Sequence, residues 1–181
     1  SHRHRWSDFE RATLSYGYQL SVTAVQLARA YATMANGGIS RPLTILKGNE
    51  TFPGERVLKR EHALAMLEMM EANIGPGGTA TRAQVPGYRV GGKTGTSRKA
   101  IRGGYGDDYV ASFAGVGPVS APRLACVVVI NEPAGDAYHG GEIAAPVFAN
   151  IMSATMKLLN LPPDAGKQPR LTAVTGGEHA G

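Results

Sequence analysis

Between residues 88 and 131 the chain carries three runs rich in Val, Tyr and small residues, 88–97, 109–117 and 123–131, separated by Gly, Asp and Pro. A parallel pair of strands needs a crossover of a dozen or more residues, usually a helix, whereas antiparallel strands need only a turn. Links this short favour antiparallel pairing. The connector 118–122, Pro118-Val-Ser-Ala-Pro122, is hairpin-sized, while 98–108, with Gly103, Gly104 and Gly106, is expected as a longer, mobile loop.

Such a sheet must be covered, and the rest of the chain supplies helices. Thr23-Ala-Val-Gln26 reads as a capping box, followed by Ala24, Leu27, Ala28, Tyr31, Met34 and Ala35 at three- and four-residue spacing and a left-handed stop at Asn36-Gly37-Gly38. Residues 40–58, with Pro42, Pro53 and Gly54, predict short extended pieces. A second helix is expected over 61–73 through Leu64, Leu67 and Met70, where the methionines read as packing, and Gly75-Pro-Gly-Gly78 ends it. A third is expected to start at Pro146, a favoured first helical residue, with Val147, Phe148, Ile151, Met152, Leu158 and Leu159 on one face and Asn160 and Pro162-Pro163 as its end. Residues 1–160 are expected to form one partial domain, and 161–181, polar and without periodicity, a disordered tail. The fold class is α/β in the broad sense (α+β), an antiparallel sheet flanked by helices.

With 43% hydrophobic residues the chain can fill a core, yet its apolar runs, such as 124–130, fall far short of the ~20 residues of a membrane helix. The net charge of +5 is scattered apart from His2-Arg3-His4-Arg5 and reads as solvated charge, so no nucleic-acid partner is expected. A single cysteine, Cys126, excludes an internal disulfide and a multi-cysteine metal site, and in its apolar run it reads as buried filler. The chain opens at Ser1 with neither Met nor signal peptide and is expected to be a piece of something longer.

The chemistry concentrates in Val90-Gly-Gly-Lys93-Thr94-Gly95-Thr96-Ser97. Glycines weaken a strand, and one reason to keep them is close approach of another backbone or of a ligand. On an edge strand, Lys93 offers positive charge, Thr94 and Thr96 offer hydroxyls, and free backbone N–H groups can hold an oxyanion, a set suited to a carboxylate-bearing, peptide-like acyl donor. A glycine-softened strand beside a surface lysine stays open as the alternative.

Lys-Thr-Gly is one of three motifs shared by penicillin-binding proteins and serine β-lactamases. The chain resembles the C-terminal half of the transpeptidase domain of class B penicillin-binding proteins, in particular the division-specific D,D-transpeptidases. The resemblance covers nearly the whole length through Arg5-Trp-Ser-Asp8, Ala12-Thr-Leu-Ser-Tyr-Gly-Tyr18, the helix from Val22 to Ala32, Pro53-Gly-Glu-Arg-Val57, Gly87-Tyr-Arg89, Lys93-Thr-Gly-Thr96, Val127-Val-Val-Ile-Asn131 and 140–148. It implies an antiparallel sheet with the Lys93 strand bordering the cleft. It also implies that an activated serine attacks the D-Ala-D-Ala end of a peptidoglycan stem peptide, expels D-Ala and passes the acyl group to an amine on a neighbouring strand, a reaction that β-lactams intercept. By position, Lys93 and Thr96 are the catalytic residues, Lys93 through charge and Thr96 through an oxyanion-hole N–H. Thr94, Gly95 and Thr96 line the carboxylate end of the substrate site. Tyr109 and Tyr138 match positions where the family lines the cleft with aromatics, and a core or surface role for them stays open. His139 reads as a loop residue rather than a base. The resemblance implies neither cofactor nor metal; expected partners are the stem peptide, β-lactams and division proteins, and the expected location is the periplasmic face of the bacterial inner membrane.

The family's nucleophile sits in Ser-x-x-Lys and its second motif is Ser-x-Asn. Ser1, Ser7, Ser15, Ser21, Ser40, Ser97, Ser112, Ser120 and Ser153 fit neither pattern. The expectation is that an N-terminal half of the same protein carries both motifs and that these residues form one wall of the site. Two other readings stay open: a D,D-carboxypeptidase or β-lactamase of the same fold, in which water accepts the acyl group, and a non-catalytic penicillin-sensor module.

Overall fold

A computed structural model describes residues 6–15, 17, 20–47, 52–101 and 104–166. The basic cluster at 2–5, Tyr16, Tyr18, Gly103 and the tail from 167 onward lie outside the described residues. In chain order the elements are α1 (Asp8–Ser15), α2 (Ala24–Ala35), β1 (Ile39–Ser40), β2 (Glu55–Arg56), α3 (Arg60–Ala72), a 3-10 turn (Thr81–Ala83), β3 (Gly91–Ile101), β4 (Gly104–Gly117), β5 (Leu124–Asn131) and α4 (Gly140–Leu158).

The last three strands form an antiparallel sheet in the order β3-β4-β5, and β1 and β2 form a small antiparallel ladder of their own. Side chains alternate across the sheet. Phe113, Cys126, Val128 and Ile130 face α4, where they meet Ala144, Ala145, Phe148, Met152 and Met156. The Phe113 and Phe148 ring centroids lie 4.7 Å apart. Val116 and Ala125 face the other way, onto Leu67 and Met70 of α3 and Tyr31, Met34 and Ala35 of α2. The result is three layers, with the sheet between α4 and the α2–α3 pair. Cys126 is half-buried against the α4 core, and burial pushes its thiol pKa up, as befits a packing residue.

α2 begins where its capping box predicts: the Gln26 N–H donates to Thr23 Oγ1 at 3.2 Å, and the Thr23 N–H donates to Gln26 Oε1 at 2.9 Å. α1 uses the same device, because Ser7 and Glu10 exchange the equivalent bonds at 2.7 and 3.2 Å.

Two expectations need correction. The described residues 98–101 and 104–108 are not a free loop: pairing continues through Arg98↔Tyr109 and, after a register shift, Ala100↔Tyr105 and Ile101↔Gly104. Gly106 lies where the register shifts inside this long hairpin, and Arg98 Nε ties the strands together by donating to the Tyr109 hydroxyl at 3.1 Å. α4 starts at Gly140 rather than at Pro146, which lies inside the helix. A proline there leaves the carbonyl four residues back, that of Glu142, without its helical donor. Arg82 Nη1 supplies the missing bond to Glu142 O at 3.2 Å, so the 3-10 turn makes the internal proline tolerable.

Past α4 the chain folds back onto the sheet end. Asp164 is 1% exposed; its Oδ1 accepts the Arg89 N–H at 2.7 Å and its Oδ2 the Ser120 N–H at 3.1 Å. The Tyr88 hydroxyl donates to Leu161 O at 2.7 Å, and Arg89 makes a two-pronged pair with Glu71 at 2.6 Å on each prong, which holds its guanidinium firmly charged. The first residues of the segment expected as tail are thereby pinned to the domain.

Candidate active site

β3 is an edge strand of the main sheet, paired on one side only among the described residues, and it carries Lys93, Thr94, Gly95 and Thr96 opposite Ala114, Phe113, Ser112 and Ala111 of β4. Its glycines serve internal contact. A methyl group on Gly92 would lie 2.5 Å from the Phe113 ring, and one on Gly95 would lie 2.5 Å from Ser112 Oγ. Of the two reasons for glycine here, close approach by the protein itself therefore accounts for both positions.

The N-terminus of α4 runs into this strand. A methyl group on Gly140 would come within 2.3 Å of Ser112 O and 2.6 Å of Gly95 O, so only glycine allows the helix to seat there. In that seat the Gly140 N–H donates to Thr96 Oγ1 at 3.1 Å. The Thr96 oxygen thus accepts from the helix end, while its own proton remains for a further acceptor.

Thr94 and Thr96 line a cleft of about 410 Å³ together with Thr79, Arg82, His139 and Glu142, floored by Gly140 and Gly141. Lys93 reaches its edge: Nζ donates to Thr94 O at 3.1 Å and to Thr94 Oγ1 at 3.3 Å. A helix N-terminus with a lysine and an arginine beside it favours an anion, since the helix dipole and the two cations all present positive charge. Among the described residues, Glu142, on the first turn of α4, is the one acidic side chain lining the cleft.

Tyr109 and Tyr138 are brought together, though beside the cleft rather than in its lining. Their rings stack at 4.2 Å and 25°, and Tyr138 leans on His139 at 4.3 Å. The Arg98 guanidinium lies 5.6 Å from the Tyr109 ring centroid, and its hydrogen bond to the Tyr109 hydroxyl raises its pKa. His139 is the N-cap of α4, so the residue read as part of a loop sits at the junction of loop and helix with its side chain lining the cleft.

Thr79, Arg82 and Glu142 escaped the sequence reading. Thr79 follows a glycine-rich turn with no motif of its own, and Arg82 is one scattered basic residue among many. Only Pro146, which strands the Glu142 carbonyl inside a helix, could have suggested that a donor stands nearby. Among the described residues no three His, Cys, Asp or Glu side chains group as a metal site.

Residues 1–153 match the family model described as penicillin binding protein transpeptidase domain. Among curated proteins, the chain is 48% identical over 164 residues to the peptidoglycan D,D-transpeptidase FtsI of Escherichia coli (strain K12), covering 90% of this chain and 28% of that protein. It is 39% identical over 160 residues to the probable peptidoglycan D,D-transpeptidase PenA of Neisseria gonorrhoeae, covering 88% of this chain and 28% of that one. The apo transpeptidase domain of Burkholderia pseudomallei penicillin-binding protein 3 superposes with a TM-score of 0.83 at 43% identity, over 88% of this chain and 49% of that structure. The chain thus spans little more than a quarter of the curated relatives' length and about half of the solved domain.

Proposed function

We propose, because this chain belongs to the penicillin-binding protein transpeptidase family, that it forms one wall of the active site of a peptidoglycan D,D-transpeptidase acting in septal wall synthesis. The observation that carries the reading is the convergence of Lys93, Thr94 and Thr96 on a cleft closed by the N-terminus of α4. That wall suits a peptide ending in a carboxylate. A serine from a segment outside these residues attacks the penultimate D-Ala carbonyl, forming an ester as the bond to the terminal D-Ala breaks and its nitrogen takes a proton. An amine of a neighbouring stem peptide then attacks the ester and returns the serine. A β-lactam acylates the same serine, with its ring-opened amine still tethered.

In this scheme Lys93 supplies positive potential along the reaction path, and the Thr96 N–H is half of the oxyanion hole. The Thr96 hydroxyl, polarised by Gly140, donates to the donor carboxylate, with Thr94 and Gly95 shaping that end of the site. Tyr109 and Tyr138 form an aromatic shelf at the rim, continued into the cleft by His139. The exposure of Leu20, Val22, Val25, Leu43, Ile45 and Leu46 supports packing against the segment that carries the serine. Division proteins are partners of the assembled enzyme at the periplasmic face of the inner membrane. No described helix is long and apolar enough to cross a bilayer.

The test compares two acyl donors on the complete enzyme, one with a free carboxylate and one with that group esterified. Thr96→Val keeps the backbone N–H and removes the hydroxyl, so acylation by the acid should fall about tenfold and acylation by the ester much less. Equal losses would mean that Thr96 shapes the strand rather than reads the carboxylate.

A further inference from the structure

A run of hydrogen bonds leads from the end of α3 to Lys93, and its direction is fixed at the far end. Asn73 Nδ2 donates to Gly92 O at 2.9 Å, a carbonyl that can only accept. The amide oxygen therefore faces Thr79, where it receives the backbone N–H at 3.3 Å and the hydroxyl at 2.8 Å. A threonine has one hydroxyl proton. Thr79 commits its proton to Asn73, so at the 3.3 Å contact between the Thr79 and Thr94 hydroxyls the proton comes from Thr94. Thr94 is left with lone pairs, one of which takes the Lys93 ammonium at 3.3 Å.

We propose that Asn73 and Thr79 are positioning residues that turn the Thr94 proton away from Lys93, so that the ammonium docks on an oxygen lone pair at the edge of the cleft. The opposite orientation would aim the positive end of the O–H dipole at a cation. In the resting site the two threonines then have separate tasks: Thr94 holds the lysine, and Thr96, whose oxygen accepts from Gly140, has the free proton for a carboxylate. A donor recruits the Thr94 proton only by breaking the contact with Thr79.

The inference rests on the reading of Lys93 as the cationic group of the cleft, so its test runs beside Lys93→Ala. The measurement is the second-order rate of acylation of the complete enzyme by a fluorescent penicillin, with the melting temperature of each variant. Thr79→Val should slow acylation about fivefold, the scale of one hydrogen bond, at an unchanged melting temperature. Thr79→Ser, which keeps the hydroxyl, should restore the rate. Once Thr94→Val has cut the link, Thr79→Val should cost nothing more. Losses that add, a wild-type rate in Thr79→Val, or a loss that follows the melting temperature and is not restored by serine would overturn the proposal. If Lys93→Ala itself acylates normally, the site reading beneath it fails as well; a slow Lys93→Ala beside a normal Thr79→Val overturns this inference alone.

Discussion

Lys93→Ala in the complete enzyme should slow acylation by a penicillin about a hundredfold or more, roughly 3 kcal/mol in the barrier, the scale of removing one preorganised electrostatic contact. The fold should not notice. Lys93 is exposed, and its described bonds run only to Thr94, so no core packing is lost. The cleft keeps the helix N-terminus of α4 and Arg82, which is why binding of an anionic donor should fall less than the chemical step. Single-turnover acylation separates the two, and a thermal melt checks the fold. An unchanged acylation rate would return Lys93 to the status of a surface lysine on a glycine-softened strand.

Gly140→Ala should damage fold and function together. The added methyl meets two backbone carbonyl oxygens, Ser112 O at 2.3 Å and Gly95 O at 2.6 Å, and neither belongs to a side chain that can swing aside. Either α4 or the β3–β4 pair must shift, at a cost of about 3 kcal/mol, the upper range for overpacking a tight contact. A shift of α4 also lengthens the 3.1 Å bond from the Gly140 N–H to Thr96 Oγ1, so the acylation rate should drop in the molecules that remain folded. Gly166→Ala is the control, because a methyl there meets nothing within 4 Å and its backbone needs no left-handed conformation. Urea unfolding of both variants should show a clear loss for Gly140→Ala and none for Gly166→Ala. Equal stabilities would mean that the helix does not seat on the strand as described.

Where local chemistry decides local structure, the sequence is legible. Thr23 and Gln26 announce α2 because each side chain satisfies a backbone N–H that the helix leaves free. The three strands announce an antiparallel sheet because their links are short, and Lys93-Thr-Gly-Thr96 is readable as one strand facing a cleft. The rest depends on contacts between distant segments. Pro146 reads as a helix start until Arg82, far earlier in the chain, is seen to take the carbonyl that the proline strands. Asp164 reads as the edge of a polar tail, and it is buried because Arg89 and Ser120 present backbone N–H groups to it. Strand pairing runs on to Ile101↔Gly104 past Arg98 and Tyr109, which meet across the strands, a pairing that glycine content alone argues against. Thr79 gains its place in the cleft from Asn73, an interaction with no sequence motif.

The most direct test is to treat the complete protein with penicillin and map the ester by mass spectrometry, with this chain alone treated in parallel. The account predicts one adduct, on a serine outside these 181 residues that is followed three positions later by lysine, and no adduct on the chain alone. An ester on any serine within the chain, Ser97 or Ser112 of the sheet included, would contradict the assignment of these residues to one wall of a shared site.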